Sequence, residues 1–182
     1  MKIQKNLDKC IENLLTIFKR YPHIFLTEED AHNHLFHLLL SSFGTPQRTK
    51  DDKVSISLHS EVRWYGRDQD RNERSDLVLI DVADLRVDKY GKKPISSKSY
   101  AFNDFFAAIE IKLRRSKYSP TTQFWIPQLK KDVEKLKFLK HGVDNKHDPF
   151  LCLVVLDKRE NIREVVENLS NNGSVKILYE HA

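Results

Sequence analysis

The sequence predicts an α/β fold: a central β-sheet of about five strands with helices packed on its faces. Two observations predict it. Amphipathic helical segments and short strand-like runs follow one another in the order α-α-β-β-β-α-β-α-β. The run 150–156, Phe-Leu-Cys-Leu-Val-Val-Leu, is apolar throughout, which is how a strand covered on both faces reads. The 182 residues give room for one domain with a sizeable core and not for two. With 40% hydrophobic and 31% charged residues the composition is that of a globular protein, not a disordered one.

Ile3, Leu7, Ile11, Leu14, Leu15 and Phe18 recur at helical spacing and predict an amphipathic helix over 3–20, which Tyr21-Pro22 stops. Thr27-Glu-Glu-Asp30 is a capping-box signature, with Asp where Glu is commoner. The helix it opens runs through Leu35, Leu38 and Leu39 to about Ser42, where Gly44-Thr45-Pro46 ends it. After a polar loop, 54–64 alternates as a strand whose polar face holds Ser55, Ser57, His59, Glu61 and Arg63. A charged turn at 66–74 leads to a second strand over 75–82, and 105–113 is the third. A helix over 126–139 follows with Pro127 in its first turn, then the strand 150–156, a helix over 161–169, a turn at Asn171-Asn172-Gly173 and a last strand over 175–179.

Composition narrows the function classes. No run reaches the length of a membrane span, and the first 20 residues lack the apolar run and small-residue cleavage site of a secretory signal. Cys10 and Cys152 stand far apart with no partner motif, so neither a disulfide framework nor a zinc knuckle is expected, and the setting is a reducing, cytoplasmic one. The net charge of +5 permits a polyanionic partner without demanding one. No Gly-rich phosphate loop supports an enzyme of small phosphorylated molecules.

The third strand carries the chemistry. Phe-Phe-Ala-Ala-Ile-Glu-Ile-Lys-Leu is apolar except for Glu110 and Lys112, which share one face while Ile109, Ile111 and Leu113 share the other. Two charges at the edge of a core are costly unless something compensates them. Glu61, Asp76 and Glu110 lie on three successive strands. Carboxylates facing each other across neighbouring strands repel unless a cation sits between them, and a hard divalent ion such as Mg²⁺ is the natural occupant. Lys112 beside them is placed to orient or deprotonate an attacking water and to offset charge on a phosphate. Taken alone, Glu110 and Lys112 also fit a structural ion pair. Asp81 reads as a strand-end cap or surface residue. His32, His34, His37 and His59 lack a zinc spacing and read as packing or surface residues. Lys130, Lys131, Lys135, Lys137 and Lys140 read as a solvated helix face or a phosphate-tracking one. Trp64 and Tyr65 read as base-stacking or core aromatics.

Asp76 followed by Glu110-x-Lys112 resembles the PD-(D/E)xK nuclease superfamily, with its restriction-endonuclease-like fold built on a mixed sheet. The resemblance covers roughly 27–157, leaving 1–26 as an N-terminal helical extension and 158–182 as a C-terminal helix and strand of one domain. It implies Mg²⁺, or Mn²⁺ in its place, held by Asp76, Glu110 and the carbonyl of Ile111. Lys112 takes the family's lysine position, and Glu61, Glu29 or Asp30 is the auxiliary acid. Gln128 and Lys131 on the following helix, with Arg114 and Arg115 just past the catalytic strand, are the residues expected to meet nucleic acid. Ser75 stands where the motif has proline, and the long gap before Glu110 makes 84–104 an insertion. The function implied is a metal-dependent endonuclease acting on DNA, alone or as a homodimer. The alternative is a module that kept the fold, lost cleavage and binds nucleic acid or protein.

Overall fold

Leu7, Ile11, Leu14 and Phe18, all fully buried, are the stripe that makes α1 (Lys2–Arg20) a core helix. The computed structural model describes residues 2–65, 72–85, 104–116, 120–141, 145–170 and 173–182. Helix α2 (Glu28–Phe43) starts on the expected capping box: Asp30 N–H donates to Thr27 Oγ1, and the Asp30 carboxylate accepts from Thr27 N–H at 2.7 Å. Gly44 ends it, because a Cβ there would lie 2.5 Å from the Leu40 carbonyl.

The strand expected over 54–64 is broken in two. Val54–Ser55 (β2) pairs with Gln47–Arg48 (β1) in a small separate hairpin, and the main strand β3 (Leu58–Tyr65) begins after Ser57. Strand β4 (Asn72–Ile80) starts three residues earlier than the pattern indicated. β5 (Phe105–Arg114), β6 (Phe150–Asp157) and β7 (Lys176–His181) complete the main sheet, in the order β3-β4-β5-β6-β7. The pairs β3–β4 and β4–β5 are antiparallel, β5–β6 and β6–β7 parallel, so the sheet is mixed. The interior position of β6, between β5 and β7 and under helices on both faces, explains its apolar run, which is buried from Leu151 to Asp157. Most of the expected 66–74 turn and 84–104 insertion falls outside the described residues, as do Asn171 and Asn172.

Helices cover both faces. On one, α1 and α2 pack over Leu77, Leu79, Ile109, Ile111, Cys152 and Val154. Helix α1 thus gives Leu7, Ile11, Leu14 and Phe18 to the core on this face. On the other face lie α3 (Thr122–His141) and the short α4 (Arg163–Glu167), over Val78, Ala108, Leu153 and Val155. Helix α3 begins a full turn before the expected 126, leaving Pro127 inside it at the loss of one backbone hydrogen bond. Tertiary contacts offset that loss: Trp125 is buried with Arg114 stacked 4.5 Å from its ring centre, and Thr122 Oγ1 accepts from Arg114 Nη1 at 3.0 Å.

Arg114 corrects the sequence reading. It is 1% exposed and makes a bidentate pair with the fully buried Asp157, its Nε lying 2.9 Å from Oδ1; Nη1 also reaches Glu160 Oε1 at 3.1 Å. A side chain so enclosed lies on no surface that tracks phosphate. Its neighbour Arg115 points the other way and is exposed. Trp64 is likewise core, fully buried against Phe105 and donating to Ser75 Oγ at 3.1 Å.

Tyr179 closes the network. Its hydroxyl lies 3.2 Å from Asp157 Oδ2 and 3.0 Å from the Glu160 carbonyl, and accepts the Ile162 N–H at 3.0 Å. Burial, with Asp157 adding to it, raises the phenol to about 12. A raised folded-state value means that its stabilising contribution is complete below pH about 10 and is lost as pH rises through about 12. Tyr179→Phe should flatten that alkaline fall in denaturant midpoint. Arg114→Ala should cost about 3–5 kcal/mol at neutral pH, because it strands a buried carboxylate, whereas Arg115→Ala should stay within about 0.5 kcal/mol.

Candidate active site

Strands β4 and β5 pair from Ile80/Phe105 up to Leu77/Ile109 and then part. Asp76 is the next residue on β4, and its carboxylate fills the fork: Oδ2 accepts the Ile111 N–H at 2.8 Å. On the other side the β3–β4 ladder skips Glu61 and Asp76, and Glu61 adopts a left-handed conformation with φ of 57°. The faces change over at this level. Leu58, Leu77 and Leu79 face α1 and α2, whereas Val62 and Trp64 face α3. The irregularity brings the half-buried Asp76 into the fork instead of leaving it on a regular strand face.

Glu110 and Lys112 share the α3 side of β5, and Ile109 and Ile111 the other, as alternation requires. Glu110 is fully buried. Lys135 of α3 contacts its Oε2, while Oε1 has no hydrogen-bond partner. Burial first, and then the charge of Asp76, push its carboxyl well above the usual range against the pull of Lys135. Lys112 Nζ lies 3.0 Å from Glu28 Oε1 and 3.8 Å from Asp132 Oδ2. Burial disfavours its charge, but Asp132 and Glu28 outweigh burial and the ammonium titrates above its ordinary value. Of the two roles expected for Lys112, orienting charge and proton acceptor, this environment suits the first.

Three residues of the cluster lie outside the site expected from the sequence. Glu28, in the first turn of α2, reaches over the sheet end to Lys112, and its Oε2 accepts the Leu113 N–H at 3.2 Å. Asp132 lies on the buried stripe of α3 among Leu129, Val133 and Leu136, and burial raises its carboxyl against Lys112 and Lys135. Lys135 is drawn in rather than solvated, its side chain only 13% exposed, with Asp132 Oδ1 at 3.6 Å. An acid inside an apolar helical stripe was the available signal for Asp132. Glu28 carries no sequence signal beyond that of an acid in a helix's first turn.

The expected auxiliary acids separate. Asp30 is committed to its cap, accepting from Leu26 and Thr27 N–H. Glu29 is exposed, 3.9 Å from the His32 ring. Glu61 pairs with Arg74 at 2.6 Å. Glu29 and Glu61 nonetheless line, with Glu28, His32 and Asp76, a cleft of about 80 Å³ opening beside the fork. Gln128 and Lys131 are exposed, one helical turn from Asp132 and Lys135 respectively, and so flank the cluster. For Ile111 the structure fixes the amide, on Asp76, where the expectation concerned its carbonyl. Asp81 caps the end of β4, accepting from Ala83 N–H and bonding His147 Nε2 at 2.8 Å. His34 stacks edge-on against Phe25, and His32 bonds the Asp76 carbonyl at 3.1 Å.

Among the described residues no group of three or more His, Cys, Asp or Glu side chains is gathered as a ready metal site. The chemistry of the cluster still suits a hard cation. Four carboxylates, Glu28, Asp76, Glu110 and Asp132, share two ammonium groups, and buried oxygens of Glu110 and Asp132 lack hydrogen-bond partners. Compared with family models, with curated proteins and with solved structures, the chain shows no significant match. The Ile111 amide tests the geometry: it should exchange slowly in the native protein and about tenfold faster in Asp76→Ala, as followed by hydrogen exchange.

Proposed function

We propose that this protein is a divalent-metal-dependent nuclease that hydrolyses phosphodiester bonds in DNA, with a restriction-endonuclease-like fold of the PD-(D/E)xK type. The observation that carries the reading is Asp76 in the β4–β5 fork, bound to the β5 backbone, with the buried Glu110 and the charged Lys112 on the same strand. Asp76 and Glu110 would hold Mg²⁺ or Mn²⁺. Such an ion supplies a more acidic bound water and neutralises charge on the phosphoryl oxygens. Lys112, clamped by Glu28 and Asp132, holds a fixed positive charge beside the reacting phosphate and needs no reorganisation as negative charge develops. Gln128, Lys131 and Arg115 are exposed and would meet the DNA backbone.

A second reading is favoured by the ion pairs themselves. Lys135 on Glu110 and Lys112 on Glu28 compensate charge in the manner of a nuclease fold that has given up cleavage and only binds. Incubating the protein with supercoiled plasmid, linear duplex and single-stranded oligonucleotides in Mg²⁺, Mn²⁺ or EDTA separates the two. Metal-dependent cleavage is expected, falling about 10²-fold or more in Asp76→Ala and in Lys112→Ala, with circular dichroism unchanged. Cleavage surviving in both variants would remove the site from the mechanism. DNA binding without cleavage in any metal would establish the second reading.

A further inference from the structure

The metal site proposed above, on which this inference rests, gives Lys135 no part and Asp132 none beyond its contact with Lys112. Asp132 is 8% exposed on a helical stripe that is otherwise Trp125, Leu129, Val133, Leu136 and Leu139. An acid in that position is costly unless its charge is used. Its Oδ2 and Glu110 Oε1 are both buried without a hydrogen-bond partner. Lys135 Nζ contacts Glu110 and stands 3.6 Å from Asp132 Oδ1, bridging the two acids, while Lys112 Nζ stands 3.8 Å from Asp132 Oδ2. Glu110 and Asp132 each feel the charge of Asp76.

We infer that Asp132 is a third carboxylate ligand of the divalent cation, and that Lys135 holds the cation's place until the metal displaces it. Exchanging a single positive charge for a double one reduces the surplus of negative charge around Glu110. It also gives the unpartnered oxygens a hard acceptor, for which carboxylates suit Mg²⁺ or Mn²⁺. Lys135 has somewhere to go. Lys131, one turn away, is exposed, and the flexible lysine stem can carry the displaced ammonium to that rim.

Mn²⁺ binding by isothermal titration tests this on the full chain, with circular dichroism as the check on folding. Lys135→Met should bind Mn²⁺ more tightly than wild type, and Asp132→Asn more weakly by about tenfold or more. In the wild-type protein, Mn²⁺ should speed reductive methylation of Lys135 several-fold, as read by mass spectrometry. Unchanged affinity in Asp132→Asn would overturn the ligand role, and unchanged Lys135 labelling the displacement. Both measurements stand even if Lys135→Met fails to fold. Metal-dependent cleavage with neither signature would refute this inference and leave the nuclease reading intact. Both signatures without cleavage would do the reverse, and absence of Mn²⁺ binding by wild type and Lys135→Met alike would overturn the inference.

Discussion

A carboxylate cannot be taken wholly out of water without a partner, and Glu110 is taken out completely. Much of the architecture around β5 answers that constraint. Helix α3 brings Lys135 down onto it, Asp132 shares that lysine and faces Lys112, and α2 sends Glu28 across the sheet end to Lys112 and the Leu113 amide. The helices on opposite faces of the sheet are thus tied to one strand by charge as well as by packing. Electrostatics here fixes where the start of α2 and the middle of α3 lie relative to β5.

A second buried charge cluster on the same strand shows what a purely structural solution looks like. Arg114 uses all three of its nitrogens, and Asp157 has both oxygens engaged, by Arg114, the Arg159 amide and Tyr179. No buried oxygen is left over, as is usual where an ion pair serves stability. Four residues earlier, around Glu110, four carboxylates share two lysines, and two buried oxygens make no hydrogen bond. Residual negative charge beside an open cleft is the physical difference between the clusters, and the reason for reading one as a keystone and the other as a site.

Backbone irregularity cooperates with the charges. Had β3 and β4 run on regularly, Asp76 would have shared the face of Val78 and Ile80. The left-handed Glu61, the skipped rung and the parting of β4 from β5 instead open a fork in which the Asp76 carboxylate takes the Ile111 N–H. Left-handed backbone at a non-glycine residue carries strain, and strain of this kind persists where surrounding contacts enforce it. Here the enforcing contacts are Trp64 against Ser75 and Phe105 on one side and Leu58 among the leucines on the other.

The sequence by itself determined the alternation of helices and strands, the capping box at Thr27, the doubly buried β6 and the shared face of Glu110 and Lys112. Each of these is set by short-range periodicity or by hydrogen bonds within a few residues. It could not separate Arg114 from Arg115, two adjacent arginines with opposite fates, because which one turns inward depends on Asp157, 43 residues away. Nor could it choose Glu28 over Glu29 and Asp30, or lift Asp132 and Lys135 from a lysine-rich helix. Periodicity says which face of an element is buried. Only the packing of α2 and α3 against the sheet decided which polar group on that face meets which, since pair energies depend on distances that the chain's order leaves open.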